Sequence, residues 1–365
     1  MPAHTKDTDA NQKQRAILAG LSMPLRPEDS TEATLSELSA LLDTAGGECV
    51  AQVLQKRDAP DARTFLGGGK AAEIAEACRA LDADLLVIDH ELSPSQARSL
   101  EDAVGVRVLD RSQLILDIFA GRAQSREGRV QVELAQLRYL LPRLSGRGTA
   151  MSRLGGGIGT RGPGESQLET DRRHIRRRID KLQKELDEVR QVRTVQRARR
   201  DKSRSPGIAL IGYTNAGKST LLGALSKTEV AANDRLFDTL DPITRRWRLD
   251  ETTTVLLSDT VGFIRKLPHH LVDAFRATLD ELRYADLLLH VIDMSAPEWE
   301  EQAEVAEKLA QELTAAPLLR VYNKADKASA DILQFPGAGP LMVSARTGEG
   351  LDALRDNVLK TLQSL

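Results

Sequence analysis

A glycine-rich turn in the C-terminal half places a lysine and a serine where they can hold phosphate groups. Residues 212–219 read GYTNAGKS, which is the spacing GxxxxGKS. The turn follows the apolar run IALI and precedes TLLGALS, so the sequence predicts a strand, a loop and a helix in that order. Backbone N–H groups of such a loop point at phosphate oxygens, aided by the positive end of the helix. We expect Lys218 to bridge the β- and γ-phosphates and Ser219 to ligate Mg²⁺.

Two further segments could complete a metal and γ-phosphate site. Asp259-Thr260-Val261-Gly262 closes the apolar run TVLLS, so its carboxylate can hold the magnesium shell through water while the Gly262 amide senses the γ-phosphate. Residues 237–242, FDTLDP, lie between the two motifs. Thr239 is the predicted switch threonine, which reaches both Mg²⁺ and the γ-phosphate, and Thr244 is the alternative.

The choice of base is predicted by two motifs that follow later strands. Asn323-Lys324-Ala325-Asp326 comes after PLLRVY, and Asp326 can accept hydrogen bonds from guanine N1–H and from its exocyclic amine. Adenine lacks that pair of donors, and leaving a buried carboxylate unpaired costs about 1–3 kcal/mol, which favours GTP over ATP about tenfold to a hundredfold. Ser344-Ala345-Arg346 follows PLMV and would offer backbone N–H groups to guanine O6.

Five loops in this order predict a GTP-binding and GTP-hydrolysing domain that uses Mg²⁺ and releases GDP. The predicted catalytic residues are Lys218, Thr239, Asp259 and Gly262. The predicted metal ligands are Ser219 and Thr239, with Asp259 acting through water. The predicted nucleotide contacts are Gly212, Tyr213, Thr214, Asn215, Ala216, Gly217, Lys218, Ser219, Thr220, Phe237, Asp238, Thr239, Leu240, Asp241, Asp259, Thr260, Val261, Gly262, Asn323, Lys324, Ala325, Asp326, Ser344, Ala345 and Arg346.

The residue after Gly262 departs from the pattern of Ras-like enzymes, which carry a glutamine there to orient the attacking water. This chain has Phe263, whose side chain cannot hydrogen-bond water. We therefore expect slow intrinsic hydrolysis that depends on backbone groups, a neighbouring side chain or a partner.

Length and composition predict a soluble protein of several domains. The chain has 365 residues, of which 41% are hydrophobic and 28% charged, enough for two or three cores. No apolar run approaches the ~18 residues of a membrane span. Residues 1–30 begin with a polar stretch and are predicted to be a flexible leader. Two cysteines without CxxC spacing argue against disulfides and favour the reducing cytoplasm.

The region before the nucleotide motifs is predicted to contain two structural parts. Residues 31–125 alternate short apolar runs with amphipathic stretches, which indicates a small α/β subdomain. Gly67-Gly68-Gly69-Lys70 lies in it. Its spacing is not GxxxxGK[ST], so we interpret it as a turn before a helix, with a second nucleotide site left open. Residues 126–203 contain two apolar stripes at helical spacing and predict an antiparallel helical hairpin, with Pro142 ending its first helix. The stripes are Val130, Leu134, Leu137 and Leu141, then Ile175, Ile179, Leu182, Leu186 and Val189.

The hairpin is also the most basic part of the chain. Residues 171–204 contain 14 Lys/Arg against 6 Asp/Glu, and the connecting tip, residues 145–165, contains eight glycines. A solvated helix face and a flexible linker are the ordinary explanations. Glycine-rich basic backbone can also approach phosphates closely, so RNA contact is the alternative. The candidate RNA-binding residues are Arg147, Arg153, Arg161, Arg172 and Arg173.

Long stretches outside the nucleotide motifs resemble the HflX family of GTPases. They include FLGGGK at residues 65–70, VLDRSQLILDIFAGRAQSREGRVQVELAQLRYLLPRL from Val108 and GGGIGTRGPGESQLETDRRHIRRRI from Gly155. The resemblance implies an N-terminal α/β subdomain, a long-helix hairpin and a C-terminal P-loop GTPase domain, residues 204–365, with a mostly parallel sheet.

The same resemblance implies a function on the ribosome. HflX proteins bind the large subunit through ribosomal RNA and split stalled ribosomes, so the chain is expected to be a monomer off the ribosome and cytoplasmic, with peripheral membrane association left open. Two alternatives stand beside this expectation. One is a large-subunit assembly or storage factor controlled by GTP; the other, an RNA-remodelling ATPase, is disfavoured because Asp326 selects guanine.

Overall fold

The structure is a computed structural model that describes residues 13–23, 31–144, 163–201, 205–228, 236–266, 281–327 and 340–365. The chain divides into two compact units. Unit 1 comprises Met1–Ile118 and Tyr139–Gly157, and unit 2 comprises Phe119–Arg138 and Ile158–Leu365. Among the described residues, no helix is long and apolar enough to cross a membrane.

Unit 1 is built on a four-stranded sheet in the order β2-β1-β3-β4, with all neighbouring strands parallel. Parallel strands need crossover helices, which explains the alternation of strands and helices seen in the sequence. The elements are β1 (Arg15–Ser22), α1 (Glu32–Thr44), β2 (Glu48–Lys56), α2 (Gly68–Ala80), β3 (Leu85–Ile88), α3 (Pro94–Val104), β4 (Arg107–Asp110) and α4 (Arg111–Arg122).

The predicted leader is wrong for residues 15–22, because this segment forms β1 between β2 and β3. Its interior residues are buried on both faces, which is typical of an inner strand of a parallel sheet. The segment is an apolar run that directly follows a polar stretch. The prediction extended the polar stretch across this run. Helix α2 begins at Gly68 with Gly67 as its N-cap at φ +87°, so the predicted turn is confined to Gly67, and Gly68, Gly69 and Lys70 form the first turn of the helix instead.

The two long helices after α4 form the predicted hairpin. They are α5 (Arg126–Arg143) and α6 (Pro163–Asp201); α5 extends one residue past Pro142, which lies in its last turn. Arg178 forms a bidentate salt bridge with Glu133 at 2.6 and 2.7 Å, and Arg126 forms a salt bridge with Glu185. These pairings show that the two helices run antiparallel. Their common core contains Val130, Leu134, Leu137, Ile179, Leu182 and Leu186.

The C-terminal part of unit 2 is a five-stranded sheet in the order β6-β7-β5-β8-β9. Only β6 runs antiparallel to its neighbour. This arrangement confirms the expected mostly parallel sheet. Strand β5 lies in the middle, with β6 and β7 on one side and the later strands β8 and β9 on the other, so the strand order reverses at β5. In such sheets ligands bind outside the carboxyl ends of the strands at that point. The elements are β5 (Gly207–Ile211), α7 (Lys218–Ser226), β6 (Ile243–Arg248), β7 (Thr254–Asp259), β8 (Leu287–Asp293), α8 (Trp299–Leu313), β9 (Leu318–Asn323), a 3₁₀ turn (Ala325–Lys327) and α9 (Leu351–Gln363).

Candidate active site

The loop between β5 and α7 has a backbone that only glycine permits at two positions. Gly212 has φ +149°, and a Cβ there would lie 2.2 Å from the Val291 carbonyl oxygen. Gly217 has φ +89° and precedes α7, and a Cβ there would lie 2.4 Å from the side-chain nitrogen of Asn323. No side chain of the described residues caps this helix end, so its first N–H groups face the loop. That is the arrangement that binds phosphate in nucleotide-binding proteins.

Lys218 is the first residue of α7 and its ammonium group is held inside the loop. The Nζ atom donates to the carbonyl oxygens of Gly212 at 3.1 Å and Tyr213 at 2.8 Å, and the residue is 6% exposed. Burial lowers the pKa of Lys218 to about 8, opposed by the nearby charge of Asp259. The loop therefore keeps a desolvated cation that phosphate oxygens would stabilise.

Nucleotide affinity is expected to fall as pH rises through the pKa of Lys218. Phosphate charge raises the pKa of the lysine in the bound state, so above pH 8 binding must first restore a proton. From pH 7 to 8.5 the affinity for GDP should drop about fourfold, because the charged fraction of the free lysine falls by about that factor. Calorimetry in buffers of different ionisation enthalpy measures the proton uptake, which should be about three-quarters of a proton at pH 8.5. A constant affinity without proton uptake would contradict the assignment.

Three oxygen atoms converge beside this loop. The Ser219 hydroxyl lies 2.7 Å from the Thr239 hydroxyl and donates to Asp259 Oδ2 at 2.7 Å. Thr239 Oγ1 lies 2.9 Å from the same carboxylate oxygen. Adjacent ligands of an octahedral Mg²⁺ are about 3 Å apart, given Mg–O distances near 2.0–2.1 Å. The 2.7 Å spacing of the Ser219 and Thr239 hydroxyl oxygens is close to that of two adjacent ligands of this ion, and the Asp259 carboxylate lies beside both hydroxyls.

The carboxylate of Asp259 gives a second sign that a cation belongs here. Asp259 is fully buried, and its Oδ1 atom has no hydrogen-bond partner among the described residues. Burial raises the pKa of Asp259, although Lys218 and the hydroxyl groups of Ser219 and Thr239 oppose the shift. A buried carboxylate oxygen without a partner costs about 1–3 kcal/mol or more, and a hydrated Mg²⁺ would supply both the missing partner and the compensating charge.

The structure separates the two candidate switch threonines. Thr239 contacts Ser219 and Asp259, whereas Thr244 lies in β6 and its hydroxyl pairs with Ser258 at 2.8 Å. The geometry therefore favours Thr239. An open cavity is lined by Thr214, Asn215, Gly217, Lys218, Ser219, Thr220, Phe237, Asp238, Thr239, Thr260 and Gly262.

Phe263 does not face this cavity as a catalytic side chain would. It is 1% exposed, and its backbone is fixed to the phosphate loop. Its N–H donates to the Gly212 carbonyl at 3.1 Å, and its carbonyl accepts from Thr214 N–H at 2.7 Å. Gly262 has to be glycine, because a Cβ would lie 2.6 Å from Thr214 Cα. The buried ring leaves the position without a group that could orient water.

Asn323 joins the loops predicted to contact guanine to the loop between β5 and α7. It lies at the end of β9 and is 2% exposed. Its side-chain amide donates to the Ala216 carbonyl at 2.9 Å and accepts from Ala345 N–H at 3.0 Å. Lys324, which follows it, has φ +63° and pairs with Asp293 at 2.7 Å. Asn323 therefore holds the three loops that contain Ala216, Lys324 and Ala345 in one arrangement.

Asp326 keeps the character of a hydrogen-bond acceptor. Its Oδ1 accepts from the Ser344 hydroxyl at 2.7 Å, and the hydroxyl oxygen in turn accepts from Thr347 N–H at 3.1 Å. The hydrogen bond from Ser344 is the main cause that lowers the pKa of Asp326. The carboxylate is exposed and ionised at neutral pH, as recognition of two guanine donors requires.

Several predicted site residues lie elsewhere or outside the described residues. Asp241 directs its carboxylate at the N–H groups of Gln124 and Ser125, and Leu240 is buried. Neither residue lines the cavity. Arg172 and Arg173 lie on α6. The candidate RNA-binding residues Arg147, Arg153 and Arg161 fall outside the described residues. Sequence analysis missed the contacts of Gln124 and Ser125, since no local motif links residues more than 110 positions apart.

Comparison with known proteins identifies relatives over almost the whole chain. Three families match, described as "GTP-binding GTPase N-terminal" at residues 32–120, "GTP-binding GTPase Middle Region" at 122–200 and "50S ribosome-binding GTPase" at 207–324. A protein of Caldanaerobacter subterraneus named GTPase HflX is 48% identical, covering 97% of this chain and 82% of that protein. GTPase HflX of Alkalihalophilus pseudofirmus is 47% identical, covering 99% and 85%.

The chain is also similar to proteins of known structure. A GTP-binding protein from the archaeon Sulfolobus solfataricus, crystallised in complex with GDP, is 25% identical. The alignment covers 95% of this chain and 98% of that chain, with a TM-score of 0.47.

Proposed function

The chain belongs to the HflX family of GTPases, and on that premise we propose that it binds the large ribosomal subunit in its GTP form and dissociates stalled or idle ribosomes. GTP hydrolysis to GDP then releases it. The expected place of action is the cytoplasm, where ribosomes are. One of the matching families is described as a ribosome-binding GTPase, which supports the proposal without identifying the surface that contacts RNA.

The observation that carries the proposal is an arginine stripe on α6, defined as Arg173, Arg176 and Arg177. All three side chains are exposed, and none forms an ion pair with a described residue. The spacing of three and four residues puts them on one helical face. Free guanidinium groups in a row are suited to neutralising RNA phosphates, each contact releasing counterions.

We further propose the roles of the nucleotide-site residues. Lys218 would contact the β- and γ-phosphates, Asp326 would select guanine, and Ser219 and Thr239 would hold Mg²⁺ while Asp259 acts through a water molecule. A bound magnesium ion supplies charge that offsets the developing negative charge on the phosphates. Since Phe263 is buried, the water must be oriented by another group, and contact with the ribosome is the proposed trigger.

The test is the separation of ribosomal subunits in sucrose gradients. Parent protein with GTP or a non-hydrolysable analogue should convert intact ribosomes into subunits, and protein with GDP should not. Intact ribosomes at saturating protein would contradict the proposal. Binding to free large subunits with intact ribosomes spared would instead support an assembly or storage factor.

Replacing all three residues of the arginine stripe by glutamine is expected to weaken large-subunit binding. The slope of log affinity against log salt concentration should become less steep by up to about 2–3, since each phosphate contact contributes about 0.7–0.9 to its magnitude. Affinity for GDP should stay unchanged. The control is Arg178→Gln, which removes an arginine of the same helix that Glu133 already neutralises. Equal effects of the triple and control variants would rule out the stripe as an RNA contact.

A further inference from the structure

The switch segment, defined as residues 237–241, has contacts on two sides. On one side it meets the nucleotide site. Phe237 N–H donates to the Thr214 hydroxyl at 2.9 Å, and Thr239 lies within 2.9 Å of Ser219 and Asp259. On the other side its residues meet the turn between α4 and α5. Both sets of contacts lie within unit 2.

Asp241 makes the strongest contacts with that turn. Its Oδ2 atom accepts from the N–H groups of Gln124 at 2.9 Å and Ser125 at 2.8 Å, and its Oδ1 atom accepts from the Ser125 hydroxyl. The Ser125 oxygen accepts in turn from Gly128 N–H at 2.9 Å, so it caps the first turn of α5. A carboxylate at this end of a helix is also favoured by the helix dipole.

Two further contacts extend the junction along the segment. The rings of Phe119 and Phe237 meet edge to face with centroids 4.7 Å apart, and both residues are at most 2% exposed. Arg122 lies 3.8 Å from the carboxylate of Asp238. Phe237 has φ +55°, a conformation that costs a non-glycine residue energy and persists only where the surroundings hold it.

The space at Gly128 shows how closely the start of α5 fits against the switch segment. A Cβ at Gly128 would lie 2.3 Å from Asp241 Oδ1. Any side chain at this position must therefore move the Asp241 carboxylate or the start of α5. Gly121, in α4, has no atom within 4 Å of its Cβ position, and so provides a matched comparison.

From these contacts we infer that Asp241 is a positioning residue that clamps the switch segment onto the α4–α5 turn and so holds Thr239 where it meets Mg²⁺ and the γ-phosphate. Only one residue, Leu240, separates Asp241 from Thr239, which leaves the threonine little freedom once Asp241 and Phe237 are fixed. The coupling is reciprocal. A nucleotide that draws Thr239 inwards stabilises the α4–α5 turn, and a partner that orders this turn favours the GTP form.

The experiment compares binding of GDP and of a non-hydrolysable GTP analogue to purified full-length variants. Asp241→Asn removes the charge at the start of α5 and leaves one acceptor oxygen for the three donors that the carboxylate now serves, so it should loosen the segment. The ratio of analogue affinity to GDP affinity should fall about tenfold or more, because misplacing a positioned group by about 1 Å costs up to a hundredfold. The affinity for GDP, which lacks the γ-phosphate, should change less than about threefold. Gly128→Ala should act in the same direction, and Gly121→Ala should not.

If Asp241→Asn loses affinity for both nucleotides equally, its role is purely structural and the inference is overturned. Unchanged affinity for both nucleotides would overturn it as well. If Asp241→Asn does not fold, the comparison of Gly128→Ala with Gly121→Ala decides by the same criterion. The inference rests on the role proposed above for Thr239, so Thr239→Ala belongs in the same assay. If Thr239→Ala does not selectively lose affinity for the analogue, the role of Thr239 is refuted. If Thr239→Ala shows this selective loss and the Asp241 and Gly128 variants do not, only the inference about Asp241 is refuted.

Discussion

Replacing Lys218 by alanine is expected to weaken GDP and GTP binding by about two to three orders of magnitude, or ~3–4 kcal/mol. The ammonium group is the buried cation of the phosphate loop, and its loss would leave phosphate charge without a partner. Fluorescence titration with a labelled nucleotide measures the effect.

The fold of the free protein should tolerate this change. Both carbonyl groups that accept from Lys218 keep another donor, since Gly212 also accepts from Phe263 N–H and Tyr213 from Ala216 N–H. The melting temperature without nucleotide should therefore be nearly unchanged, while the upward shift on adding GDP disappears. Lys227→Ala, at the exposed end of the same helix, is the control and should bind like the parent. Parent-like affinity in Lys218→Ala would refute the phosphate site.

Exchanging Asp326 for asparagine is expected to change the preferred base from guanine to xanthine. Guanine offers N–H groups from N1 and from its exocyclic amine, and an amide can accept only one of them while its own NH₂ opposes the other. The affinity for GDP should fall about tenfold to a hundredfold. Xanthosine diphosphate carries a carbonyl in place of the amine, so its affinity should rise by a similar factor.

Competition of both nucleotides against a labelled guanine nucleotide measures this exchange. The control is Asp352→Asn, which changes an exposed carboxylate on α9 paired only with Arg355 among the described side chains. Equal losses for GDP and xanthosine diphosphate would indicate damage to the loop. An unchanged GDP affinity would show that Asp326 does not read the base.

Local patterns in the sequence were sufficient to predict those parts of the fold whose residues lie close together along the chain. The stripe from Val130 to Leu137 and the stripe from Ile179 to Leu186 meet in one cluster, because side chains four and three positions apart share a helical face. The phosphate loop was predictable for a similar reason, since its glycines, Lys218 and Ser219 are adjacent in the chain and the strand and helix around them are apolar.

Features that depend on distant residues could not be predicted in this way. Strand β1 follows a polar stretch, and its place in the middle of a sheet depends on partners at Glu48–Lys56 and Leu85–Ile88. The hydrogen bonds of Asp241 to Gln124 and Ser125 join residues 117 and 116 positions apart. Composition and spacing contain no signal for such a contact, whose existence depends on how α4, α5 and the switch segment pack.

The most direct test of a ribosome-dependent switch is the steady-state rate of GTP hydrolysis with and without purified large ribosomal subunits. The protein alone should hydrolyse GTP slowly, because the buried Phe263 leaves the attacking water without an orienting side chain. Saturating large subunits should raise the rate at least about tenfold, in keeping with partner-stimulated GTPases. An identical rate with and without subunits, for protein that binds GTP normally, would contradict the account.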